Sequence, residues 1–355
     1  MQRDRIFYLD LVKTVAIYLV LFAHSYTYGT KLYTITTGQK IYPFYLWLDC
    51  VRTINNPLFF MTSGALLINP ESSKGNISSI RKQLKRVTKY ILILIFFSYL
   101  QYWYQIFKGE FIDMGIVAFF KYIYSTPIHF TYWFLYAYLG YLIMLPFTCK
   151  IACNISYLQF KYLIFITLLF TDILPIFQFL IGLNRINITL YLNVYTYSVF
   201  PIVGYYLHHH MDEIIFNKKW KIYVLIGFSI IGSSVAAVLT YIEMLRNGNY
   251  TENFISSFNL LTSITIFCVC YKLGNYLKAK SLMRQLISTV SSCTLGIYLL
   301  ENILEDIFSR KIFQYLPEKY PRLTICAVYM TLTIIIGTFI IYYLKKIPVI
   351  RKLLS

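Results

Sequence analysis

Apolar residues run along this chain in stretches of about twenty, separated by short polar or basic segments. A helix rises about 1.5 Å per residue, so each stretch matches a bilayer core of about 30 Å. The pattern predicts about ten membrane-crossing helices, near residues 6–28, 44–68, 88–107, 130–149, 161–181, 189–208, 221–243, 255–277, 286–308 and 322–344. A weaker apolar run over 111–124 reads as an interfacial or re-entrant helix. No connection is long enough for a soluble domain, so residues 1–355 are expected to form one all-α membrane domain. The segments 70–87 and 108–130 are the ones able to fold over a pocket mouth.

Composition strengthens this picture. Hydrophobic residues make up 58% of the chain and charged ones 14%, against about 25% charged in an ordinary globular domain. The first span starts too close to Met1 for a cleavable leader and carries charges, so a retained helix is expected. Seven cysteines without a CxxC pair suggest neither a disulfide frame nor a metal site.

The net charge of +18 would suit nucleic acid if it were concentrated on a soluble face. It is instead gathered on alternate connections, at 81–89, 218–221, 278–284 and 345–352. Retention of positive charge inside predicts cytoplasmic termini in the cell membrane, a lipid bilayer as surroundings and no nucleic-acid partner.

The first span carries the most telling polar pattern. Asp10, Lys13 and His24 lie inside an apolar run, where ionisable groups are costly and mark function by default. At about 100° per residue all three share one stripe, and Lys13 and His24 stand about 16 Å apart along the axis. The plainer reading of Asp10 and Lys13 is an i,i+3 ion pair, and of His24 a hydrogen-bonded core histidine. Asp49 and Arg52 read as a structural i,i+3 pair. His208-His209-His210 points three ways around a helix and so reads as a span end, not a metal tract. Asp172, Glu243 and Asn302 receive no role.

Four further stretches complete a pattern: Asn55-Asn56-Pro57-Leu58-Phe59-Phe60-Met61-Thr62-Ser63-Gly64, the cluster Arg81-Lys82-Gln83-Leu84-Lys85-Arg86, His129-Phe130-Thr131-Tyr132-Trp133-Phe134-Leu135-Tyr136, and Ser292-Cys293-Thr294-Leu295-Gly296-Ile297-Tyr298-Leu299-Leu300-Glu301. Together with Leu9-Asp10-Leu11-Val12-Lys13 and His24, their order resembles the acyltransferase family 3 membrane proteins, which modify cell-surface polysaccharides with acyl groups. Lys13 stands where arginine is commoner in that family. Glu301 stands where many relatives have histidine, and Lys82 with Lys85 replaces an arginine pair.

The resemblance implies acyl transfer from cytoplasmic acetyl-CoA, or succinyl-CoA, to a hydroxyl of a cell-surface polysaccharide or lipid-linked glycan. A hydroxyl needs a positioned base, and His24 is the candidate. Asp10 and Lys13 would set the field along the stripe. Arg81, Lys82, Lys85 and Arg86 would hold CoA phosphates, though orientation in the bilayer and anionic lipid explain such a cluster equally well. Trp133, Ser63 and Glu301 are candidate substrate contacts. Trp133 also suits interface anchoring, and Ser63 suits helix packing. A polysaccharide exporter or a proton-linked transporter would share the ten spans and the charged stripe.

Overall fold

A computed structural model describes residues 6–25, 28–36, 38–112, 115–183, 196–247, 253–277, 281–315 and 321–354. The described residues are helical, with no strand among them. The helices are α1 Phe7–His24, α2 Tyr42–Arg52, α3 Asn55–Leu67, α4 Ile77–Phe107, α5 Gly115–Ser125, α6 Trp133–Asn154, α7 Tyr157–Leu168, α8 Leu174–Leu180, α9 Thr196–Met211, α10 Trp220–Asn247, α11 Asn259–Tyr276, α12 Leu282–Tyr315, α13 Arg322–Leu344 and α14 Pro348–Leu354. Short helical turns at Leu32–Ile35 and Pro70–Ser73 join them, and a π-turn over Leu169–Ile173 links α7 to α8.

Among the described residues, seven helices are long and apolar enough to cross a membrane. They coincide with the expected spans at 6–28, 88–107, 130–149, 161–181, 221–243, 286–308 and 322–344. The other three expected spans differ for local reasons. The stretch 44–68 is two helices, because Pro57 has no N–H to give the carbonyl of Thr53 and the chain breaks at 53–54. That freed carbonyl accepts from Asn259 Nδ2 at 3.3 Å. The span expected over 189–208 begins outside the described residues, which hold the 16-residue α9. The third, α11, carries Thr262, Ser263 and Thr265 in its buried face and is correspondingly less apolar.

Capping begins two of the helices. Asn76 accepts from the backbone N–H of Ser79 at the start of α4, and Ser156 with Gln159 forms a capping box on α7. The expected interfacial segment is the amphipathic α5, which buries Phe119 and Ile123 and exposes Ile116, Val117 and Phe120.

Helix α1 lies at the centre, packed on α3, α11 and α12. Two glycines let α3 and α9 meet backbone to backbone. A Cβ on Gly64 would lie 1.9 Å from the Pro201 carbonyl oxygen, and one on Gly204 would lie 2.1 Å from that of Met61. The buried apolar residues of α1, α3, α4, α6, α9, α11, α12 and α13 form one continuous core.

Candidate active site

The stripe on α1 faces α12. Asp10 accepts from Ser288 Oγ at 2.9 Å and from Ser291 Oγ at 2.6 Å. At the other end of the helix His24 Nδ1 bonds Glu301 Oε1. The two helices therefore run parallel, and Asp10 and His24 mark opposite ends of their contact.

Between those ends lies a cavity of about 630 Å³. Its walls use matching eight-residue windows of three helices: Lys13 to Val20 on α1, Arg86 to Ile93 on α4 and Ser291 to Tyr298 on α12. Each window is about 10 Å long. Helix α3 adds Asn56, Phe59 and Ser63, and α6 adds Phe134 and Tyr138. Lys13, Arg86, Lys89 and Lys345 line it, and among the described residues no carboxylate does. Towards Val20, Phe134 and Tyr298 the lining becomes apolar and aromatic. His24 and Glu301 stand about one turn beyond Val20 and Tyr298.

The basic end is built by a chain of backbone consequences. Pro146 inside α6 cannot donate to the carbonyl of Leu142. Gln83 Nε2 supplies the missing donor, and Gln83 Oε1 accepts from Arg86 Nη1 at 3.3 Å. A proline in one helix thus orients a guanidinium on another. Helix α14 folds back so that Leu353 and Leu354 close part of the cavity's rim, and Lys345 Nζ bonds the Ser292 carbonyl.

The histidine end is rich in carboxylates. The Glu301 side chain is fully buried, while 16% of the His24 side chain remains exposed. The second oxygen of Glu301 has no hydrogen-bond partner among the described residues. Glu305 stands one turn further along α12, and Lys108 bridges Asp306 and Glu110 at 2.6 Å each. Arg52 is held by Asp49 at 2.6 Å, as its spacing predicts.

The 3-10 turn Phe130–Tyr132 packs against α12 beside this pair. Tyr298 donates to the Thr131 carbonyl, Asn302 Nδ2 donates to Thr131 Oγ1 at 2.9 Å, and Tyr132 donates to the Leu299 carbonyl at 2.7 Å. His129 caps the turn. Burial, reinforced by the nearby His24, pushes its imidazole down to about 4, with Asp306 and Glu110 opposing.

The expected site residues therefore separate into groups. His24 and Glu301 meet directly, although 277 positions separate them in the chain. Lys13, Ser63 and Arg86 line the cavity. Ser63 Oγ is 2.9 Å from Tyr138 Oη, so its neighbour is a phenol rather than an imidazole. Arg81 and Lys85 face a separate groove, and Lys82 is exposed and borders neither space. Trp133 is partly exposed, packs edge-on against Phe134 and lies outside the cavity lining. Sequence reasoning missed Lys89 and Lys345, Gln83, and the supporting trio His129, Thr131 and Asn302. For Lys89 there was a signal, its i+3 position from Arg86. Among the described residues no group of histidine, cysteine, aspartate and glutamate could hold a metal.

The acyltransferase domain family matches residues 6–343. The chain belongs to this family of acyltransferases. The match covers every motif quoted above and extends across α1 to α13, so the His24–Glu301 pair and all of the cavity wall except Lys345, Leu353 and Leu354 lie within this acyltransferase domain. No curated protein and no solved structure matches the chain.

Proposed function

We propose that this acyltransferase moves an acetyl group from cytoplasmic acetyl-CoA to a hydroxyl of a cell-surface polysaccharide or lipid-linked glycan, at the cell membrane. The observation that carries the reading is one cavity with cations at one end and a buried histidine–carboxylate pair just beyond the other.

In this reading Arg86, Lys89 and Lys345 hold the phosphates of CoA, as cations and guanidinium groups do at other phosphate sites. The acyl-pantetheine arm lies along the cavity past Lys13 and Ser63, with the thioester near Val20 and Tyr298. Glu301 fixes Nδ1 of His24 and leaves Nε2 for the incoming hydroxyl. The Glu301 carboxylate also stabilises the imidazolium that forms, the role a buried carboxylate plays in other histidine-dependent acyl transfers.

The proton balance closes within the site. Nε2 takes the proton of the hydroxyl as its oxygen attacks the thioester carbonyl. The tetrahedral intermediate collapses, the C–S bond breaks, and the imidazolium returns the proton to the departing thiolate. Glu301 is thus a positioning residue for His24.

The test gives membranes carrying wild type or His24→Ala labelled acetyl-CoA and the host's surface polysaccharide. Label on the polymer with the wild type, lost in a folded variant, supports the reading. If neither transfers acetyl, succinyl-CoA is tried. Failure of the wild type with both donors removes acyl-CoA dependence and favours an exporter or transporter.

A further inference from the structure

The basic residues near the cavity do not all face it. Taking Arg81 as zero on α4, Lys85 lies about 40° round the helix and Leu92 about 20°, whereas Arg86 lies about 140° away. Arg81, Lys85 and Lys89, with Lys352 of α14, border a second space of about 450 Å³. Among the described residues it is lined by four cations and no carboxylate. Leu84 lies between Arg81 and Lys85, and Leu92 lies just past Lys89; they remain 60% and 51% exposed.

The apolar part does not end at the groove. Phe96, Tyr99 and Trp103 continue the stripe of Leu92 along α4, within about 60° of it, and all are exposed. This side of a membrane-crossing helix therefore offers cations at one end and a continuous apolar rail beyond them. A water-borne nucleotide matches the cations but leaves the rail uncovered. An anionic phospholipid matches both, with a phosphate at the interface and chains alongside the helix.

We infer that the groove between α4 and α14 binds the phosphate of an anionic phospholipid, with its acyl chains lying along Leu92, Phe96, Tyr99 and Trp103. Lys352 and Leu353 come from α14, and Leu353 and Lys89 also line the cavity. A lipid held here ties α14 to α4 at the rim of the cavity. The inference stands apart from acyl transfer, because Arg81, Lys85 and Lys352 border the groove and do not line the cavity.

The test uses the full chain purified in mild detergent and exposed to mixed micelles of phosphatidylglycerol or phosphatidylcholine. Retained lipid is counted by native mass spectrometry, and the unfolding midpoint is followed. The wild type is expected to retain phosphatidylglycerol at least tenfold over phosphatidylcholine and to unfold several degrees higher with it. The combined variant Arg81→Gln, Lys85→Gln, Lys352→Gln should lose that preference, while Arg86→Gln keeps it. If the combined variant does not fold, Lys85→Glu alone is measured, with at least a threefold loss expected. Equal retention in wild type and groove variant overturns the proposal. So does an equal upward shift with inorganic phosphate alone, which would mark a simple anion site. Loss of CoA-induced stabilisation in the groove variant, with lipid retention intact, also overturns it and returns the groove to the donor.

Discussion

The two ends of the cavity are built on opposite electrostatic plans. At the basic end, Lys13, Arg86, Lys89 and Lys345 gather around a space with no lining carboxylate among the described residues. At the histidine end, Glu301, Glu305, Asp306 and Glu110 outnumber Lys108 and Arg52, and Glu301 is fully buried. A site for a polyanion needs positive potential over a broad mouth, and several flexible cations supply it. A site for proton transfer needs one group held in one orientation, and a buried carboxylate supplies that. For the proposed reaction, the difference gives one end to capture and the other to geometry.

The comparison can be broken from the histidine end first. Replacing His24 by alanine should lower transfer by about 10²–10⁴-fold with little change in the unfolding midpoint. Glu301→Gln keeps a hydrogen-bond partner but removes the charge, and should lower kcat by about 10²-fold, less than the about 10⁴-fold loss from a carboxamide swap in a serine-protease triad. A normal kcat in that variant would show that Glu301 does not position the base.

Changes at the basic end should act on capture alone. Arg86→Gln is expected to raise KM for acyl-CoA about tenfold, the worth of one charge-assisted bond, while kcat and acceptor KM stay near wild type. Gln83→Leu leaves Arg86 in place but removes its hydrogen-bond partner, so a rise of about threefold in the same KM is expected. An unchanged KM in both variants would mean that the donor phosphates bind elsewhere.

The smallest effect lies in pH. His129 precedes the span that begins at Phe130, and burial with the nearby His24 holds its imidazole down to about 4. An unfolded histidine takes its proton near pH 6.5, so between pH 6.5 and about 4 the unfolded state binds more protons. Stability should therefore fall as pH falls through that window and level off below it. The unfolding midpoint of His129→Asn should show a shallower fall over the same range.

Much of this was legible in the sequence. The α1 stripe places Asp10, Lys13 and His24 on the side of α12 and the cavity, because helical periodicity alone fixes their common face. Asp49 and Arg52 pair as their spacing predicts. What remained hidden depends on contacts between distant segments. Pro57 and Pro146 announce two missing donors, yet nothing in the sequence says that Asn259 and Gln83 answer them. The basic cluster divides because Arg81 and Arg86 point to different faces of α4. That angle is readable, but which face turns inward depends on neighbours. The meeting of His24 with Glu301 needs two helices in register across 277 positions.

Gly64 and Gly204 have one more effect, felt on the far side of the helix that carries the first. Ser63 lines the cavity, while its neighbour Gly64 abuts Pro201 with no room for a single carbon. The bore of the cavity is thus gauged from behind: any bulk added at Gly64 is expected to push the wall bearing Ser63 inward. Tolerance for longer acyl groups would then be tuned by a residue that no donor touches.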